Sequence, residues 1–194
     1  MRQWFACSVS VLAIALLGAR PAPEEQTHVV FVPWKVLRPG TAPPRSPLML
    51  FWIPASRQEL RRSELLTSEE LARYAAQCVA MVVVQPDDHV MIQSLRVDGR
   101  FPMVLLADGD GAVLAHLERE SGELSAAEVE AMVRTAMDAR AAQFDAVLDD
   151  AKEKAASGDT EAALVLYRKV LEQRCTCPRQ GKDAQRALRK LASR

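Results

Sequence analysis

The stretch that decides the fold is Pro47-Leu-Met-Leu-Phe-Trp-Ile53, followed by Pro54-Ala-Ser-Arg-Gln-Glu-Leu60. Six consecutive apolar residues, Leu48 to Ile53, read as a strand buried on both faces, since a half-exposed strand would alternate. Pro54 ends the run. Ser56 to Leu65 then reads as a short helix, and Ser56 is a natural cap for its first turn.

Downstream elements fall into a consistent order. Thr67 to Ala76 is helical, with Thr67 or Ser68 as N-cap and Glu69 and Glu70 in the first turn. Val79 to Val84 is a second apolar strand, stopped by Gln85-Pro-Asp-Asp88. His89 to Leu95 forms a short helix. The pattern then becomes antiparallel: Arg100 to Leu106 and Ala112 to Leu117 are strands joined by Asp108-Gly-Asp-Gly111, whose glycines suit a tight hairpin. Upstream, His28 to Val32 and Pro33 to Leu37 read as an extended first strand. Its proline places it at an edge.

Ser125-Ala-Ala-Glu128 is a capping-box signature. From Val129 apolar residues recur at helical spacing to Ala155, with no glycine or proline before Gly158. Thr160 to Gln173 and Lys182 to Leu191 read as two further helices, separated by Cys175-Thr-Cys-Pro178.

Composition bounds the function. The chain has 194 residues, 49% hydrophobic and 26% charged, enough to bury a core. Twenty-five basic and 25 acidic residues give a formal charge of +0, so no overall field favours nucleic acid. Trp4 to Gly18 is an uncharged, largely apolar run after a weakly basic start. It reads as a secretory signal or an N-terminal anchor within residues 1–22, shorter than the roughly 20 apolar residues of a membrane span. The chain is therefore expected to be exported, periplasmic or secreted, with a membrane tether as the variant. If the segment is cleaved, Cys7 leaves with it and Cys78, Cys175 and Cys177 remain. Disulfides persist in such a compartment. The close pair Cys175 and Cys177 is the expected bridge, and Cys78 the leftover buried thiol.

Residues 47 to 137 resemble the thioredoxin-like superfamily. The carriers are the strands Leu48–Ile53 and Val79–Val84, the Asp108–Gly111 hairpin, and Phe101-Pro102 ahead of the following strand. The resemblance implies an α/β fold, a thioredoxin-like sheet with flanking helices, and a cis proline at Pro102 beside the site. The family carries a cysteine pair after the Leu48–Ile53 strand. This chain has Ala55 to Glu59 there, without a cysteine. Exchange needs one thiol to attack and another to resolve, so only the geometry of the site carries over: a binding cleft of Ser56, Arg57, Phe101 and Pro102. Residues 139–194 resemble a tetratricopeptide hairpin, on Ala151, Gly158-Asp159, Ala163-Leu-Val-Leu-Tyr167 and Val170-Leu171. A single such unit needs another surface to pack on. The expected organisation is 1–22 signal or anchor, 28–138 thioredoxin-like domain, and 139–194 helical extension.

Two functions follow from these readings. One is a redox-inactive module that binds another protein or peptide. The other is a thiol–disulfide oxidoreductase using Cys175 and Cys177, a pair that serves equally well as a structural staple. Two cysteines fall short of the four ligands of structural zinc, and no motif calls for a cofactor. Ser56 lacks a recognisable triad with His28, His89 or His116, so its capping role is favoured. Arg57, Arg61 and Arg62 are either a grip for a carboxylate or phosphate or a solvated helix face. Asp87-Asp88-His89 is either a cation site or a helix start. The basic run from Arg174 to Arg194 either pairs with Asp145, Asp149, Asp150 and Glu153 or guides a partner.

Overall fold

The computed structural model describes residues 30–97 and 100–192. The signal or anchor expected at residues 1–22 lies outside them. No helix among the described residues is long and apolar enough to cross a membrane.

β2 (Leu48–Ile53) is the centre of a five-stranded sheet, and all six of its residues are buried. β1 is Lys35–Val36, β3 is Val79–Val83, β4 is Met103–Asp108 and β5 is Val113–Glu118. Their order is β1-β3-β2-β4-β5. β3 lies parallel to both β1 and β2, while β4 runs antiparallel to β2 and to β5. This is the mixed α/β sheet, with helices on both faces and a helical C-terminal region, that the sequence leads one to expect.

Period-2 alternation along β2 feeds two cores. Leu48, Leu50 and Trp52 join residues of α2 (Glu69–Ala76) and the first part of α4 (Ala126–Ala156). Met49, Phe51 and Ile53 face α3 (His89–Ser94) instead. Ser68 caps α2 by accepting from Leu71 N–H, and Asp88 caps α3 by accepting from Met91 N–H. The Asp88 carboxylate, 5% exposed, is thus committed to a helix start. The capping box at Ser125 and Glu128 is fully formed and launches α4.

α4 is 31 residues long, about 46 Å of continuous helix. Val129, Val133 and Met137 lie in the sheet core. Phe144, Leu148 and Ala151 lie in a third core with α5 (Thr160–Glu172) and α6 (Pro178–Ala192). One helix therefore carries the terminal helical pair on the body of the sheet.

Three elements differ from the sequence reading. The first strand shrinks to Lys35–Val36, because Pro33 has no N–H to donate and Val32 N–H instead bonds Leu66 O. The helix expected over 56–65 becomes α1 (Glu59–Arg62) and a separate 3-10 turn at Glu64–Leu66, which Ser63 caps. The last helix begins at Pro178 rather than Lys182. Proline suits a first helical position, where its missing N–H costs nothing.

Candidate functional site

Because Ile53 pairs with Met103, the turn after β2 lies beside the segment entering β4. The Phe101–Pro102 peptide bond is cis, as the resemblance implied for Pro102. Pro102 is buried, Phe101 half-buried, and Ser56 and Arg57 exposed. The Ser56 hydroxyl accepts from Glu59 N–H at 3.2 Å, so it serves the start of α1. His89 and His116 are exposed on α3 and β5, and His116 pairs with Leu105 across the far edge of the sheet. His28 lies outside the described residues.

The structure gathers only part of the expected cleft into one cavity. A hollow of about 310 Å³ lies at the carboxyl ends of the parallel strands. Val36, Pro54, Leu60, Val83 and Pro86 supply its apolar wall; Arg57, Arg61, Gln85 and Asp87 supply polar groups. Arg57 belongs to it, whereas Ser56, Phe101 and Pro102 do not line it. Its strand residues, Val36 and Val83, come from β1 and β3, and none comes from β4. Sequence reasoning missed Val36, Leu60, Val83, Gln85 and Pro86 because they meet only once β1 is laid against β3. The signal that pointed here was the basic cluster Arg57, Arg61 and Arg62, of which Arg57, in the turn before α1, and Arg61, on α1, line the hollow.

Beneath the same turn sits a buried acid. Glu59 is 3% exposed. Its Oε2 accepts from Ala55 N–H at 2.7 Å and so fastens the β2–α1 turn. Its Oε1 and the Trp52 Nε1 are both buried, and the indole lies near the carboxyl without a hydrogen bond of full geometry between them. Burial holds the Glu59 carboxyl above the ordinary carboxylate range, opposed by the Ala55 hydrogen bond and Trp52, and reinforced by the nearby Glu123 charge.

A raised folded pKa means the native state holds this proton more tightly than the unfolded chain does. The contribution is complete below the unfolded pKa and is lost as pH rises through the folded one. Glu59→Gln is therefore expected to gain stability relative to wild type as pH rises from about 4 to neutrality. Urea unfolding at both ends of that range checks it. A wild-type to variant difference that does not change with pH would show that folding does not raise the Glu59 pKa.

The cysteines are arranged differently from the sequence reading. Cys78 is bonded to Cys175, with 5.8 Å between their Cα atoms. Cys177 is a free, buried thiol. The resting bridge is thus not Cys175–Cys177, and Cys78 is not the leftover. The physical reason is that α4 and α5 return the chain past the α2–β3 turn, a proximity with no local sequence signal across 97 residues. The catalytic assignment to Cys175 and Cys177 as a resting redox pair does not match this connectivity. Cys177 also stands at the start of α6, not merely at the end of α5: its carbonyl accepts from Gly181 N–H. Burial pushes its thiol pKa up, against the Thr176 hydroxyl and the Arg140 charge, while Asp145 adds to the rise.

The charged faces of the helical region also resolve. Lys152 pairs with Asp149 and Arg186 with Asp183, each within one helix. Asp145 accepts instead from Gln180, a buried amide on α6.

No family model and no curated protein matches the chain. Among solved structures, a "DsbH Oxidoreductase" is similar at 20% identity, covering 47% of this chain and 72% of that one, with a TM-score of 0.34.

Proposed function

We propose that the chain is an exported binding protein that takes an extended segment of another protein or peptide at the carboxyl ends of β1, β3 and β2. The observation that carries this reading is the hollow lined by Val36, Pro54, Leu60, Val83 and Pro86, with Arg57 from the turn before α1, Arg61 from α1, and Asp87 among its polar groups. Ligands of open α/β sheets settle outside the carboxyl ends of the strands. A mostly apolar hollow with a few polar groups at its edge suits a side-chain anchor beside a backbone. Two arginines favour a carboxylate next to that anchor, since a guanidinium binds a carboxylate through two parallel hydrogen bonds.

The same turn lacks the thiols that exchange chemistry requires, as Pro54 to Leu60 contains no cysteine. Binding without exchange is what this end of the sheet supports. Export rests on the apolar Trp4–Gly18 run, acting as a leader or tether, and agrees with a disulfide-bonded body.

The test uses the oxidised full chain as bait for a displayed random-peptide library. Selected peptides are expected to pair an apolar residue with a neighbouring acid. Their affinity should fall about tenfold or more on Arg57→Glu/Arg61→Glu, equal to about 1.4 kcal/mol or more. Both residues are exposed, Arg57 in the turn before α1 and Arg61 on α1, so the fold should survive, as circular dichroism would show. Peptides whose affinity ignores the double charge reversal would remove this reading.

A further inference from the structure

The last helix carries a face of positive charge that the fold leaves unanswered. At 3.6 residues per turn, Arg179, Lys182, Arg186, Arg189 and Lys190 of α6 fall within about 100° of arc. All five are exposed, while Gln180, Gly181 and Ala184 on the other side of the helix are buried. From Arg179 to Arg189 the stripe is about 15 Å long. Asp183 is the sole acid of α6, and it pairs with Arg186 at 3.3 Å. Arg179, Lys182 and Arg189 make no ion pair with an acid among the described residues. The acids of α4 that could answer them are engaged elsewhere: Asp149 holds Lys152, and Asp145 accepts from Gln180. The whole chain has a formal charge of +0, so this field is local to α6.

A hollow of about 230 Å³ flanks the stripe, between α6 and α4. Lys190 of α6 and Lys152 of α4 line it, with Tyr167 and an apolar surface of Ala155, Ala187 and Leu191. Lys190 thus belongs to both features, and Lys152 carries the positive surface across to α4. An occupant must present negative charge along the length of the helix and a small anionic group beside apolar surface. A bilayer of anionic phospholipid presents both. No large apolar side chain of α6 is exposed, whereas a protein interface is centred on such anchors. A membrane surface needs none, since it attracts clustered Lys and Arg on a helix through charge.

We propose that the exposed face of α6 docks on an anionic phospholipid surface, with Arg179, Lys182, Arg186 and Arg189 against lipid phosphates and one headgroup in the hollow between Lys152 and Lys190. The cations run along the helix and are not gathered at one end, so α6 lies flat on the surface. Contact is reversible, because no apolar side chain of the stripe enters the acyl region. It is also salt-sensitive, since the Debye length falls from about 10 Å at 0.1 M to about 3 Å at 1 M. Where the Trp4–Gly18 run acts as a tether, the stripe is the second of the two signals that stable membrane attachment takes. The carboxyl-end hollow shares no residue with this face, so the docking stands independently of the binding reading.

Vesicle co-sedimentation of the full chain reads the docking directly. Partitioning onto mixed phosphatidylglycerol/phosphatidylcholine vesicles is divided by partitioning onto phosphatidylcholine alone. The ratio cancels the contribution of the uncharged Trp4–Gly18 run, which both membranes receive. At about 0.1 M salt the expected ratio is about a hundredfold or more, and it should collapse toward one at about 1 M. Arg179→Gln/Lys182→Gln/Arg186→Gln/Arg189→Gln, shown to be folded by circular dichroism, should bring the ratio close to one at the lower salt. Lys182→Gln alone should lower it about fivefold, which keeps the test readable if the fourfold variant is unstable. A wild-type ratio near one overturns the proposal, as does a ratio that neither variant changes. Release of the vesicle-bound chain by polyglutamate or duplex DNA at equal charge concentration also overturns it, because the face would then prefer an acidic peptide or a nucleic acid to a bilayer.

Discussion

Replacing Cys175 with serine is expected to lower the unfolding free energy by about 2–4 kcal/mol. The bridge spans 97 residues of sequence. On a chain-entropy account, cross-linking a loop near 100 residues restricts the unfolded ensemble by about 4.7 kcal/mol. The value should fall below that ceiling, because an unfolded chain keeps some compactness and already sacrifices part of that freedom. Cys78 and Cys175 are partly exposed, so the loss comes mainly from the unfolded state and not from a cavity. Urea unfolding of wild type, Cys175→Ser and reduced wild type should give two weakened proteins of similar stability. A second comparison separates backbone from bridge. Under reducing conditions Cys78→Gly should exceed Cys78→Ser in stability, since glycine adopts φ near 61° without a Cβ clash. Equal stability of oxidised and reduced wild type would show that the tie contributes nothing.

Gly181→Ala is the second large effect. Gly181 lies inside α6, where alanine would ordinarily gain about 1 kcal/mol from helix propensity. Here a Cβ would stand 2.6 Å from Arg174 Cα and 2.5 Å from Arg174 Cβ. Neither atom is the free end of a flexible side chain, so the α5–α6 turn itself must move. Overpacking of this kind costs typically about 1–3 kcal/mol, which exceeds the propensity gain. A net loss of up to about 2 kcal/mol is expected, with a fall in Tm of about 2–4 °C for each kcal/mol in a chain of this size. The displaced turn carries Cys175, so Gly181→Ala should also speed reduction of the bridge by external thiol. A variant about 1 kcal/mol more stable than wild type, the full propensity gain, would mean that Arg174 yields at no cost.

What could be read ahead of the structure follows from the range of the forces involved. Leu48–Ile53 announces a central strand because burial on both faces needs apolar residues at every position. The Ser125–Glu128 box and the Asp108–Gly111 turn were equally legible, since capping and hairpin chemistry act within four residues. The Cys78–Cys175 bridge was not, because the neighbouring Cys177 offered a closer partner and only the return of α4 and α5 decides otherwise. Gly181 hid the true start of α6 in the same way: its reason for being glycine is a contact with Arg174, not a local turn. At the candidate site, Arg57 and Pro54 were in view, but the wall opposite them comes from β1 and β3. Which side of α1 would be hollow depended on how far β1 extends, and Pro33 shortens it beyond what the apolar residues alone suggest.

The central claim is that the carboxyl-end hollow receives a partner segment without thiol chemistry. Amide and methyl chemical-shift mapping tests it most directly, using the labelled oxidised chain and the tightest peptide selected against it. The account predicts shifts concentrated at Val36, Ala55, Leu60, Val83 and Gln85, with Cys78 and Cys175 still bonded after the titration. Shifts gathered on α5 and α6 or along β5, with the strand ends unmoved, would contradict it.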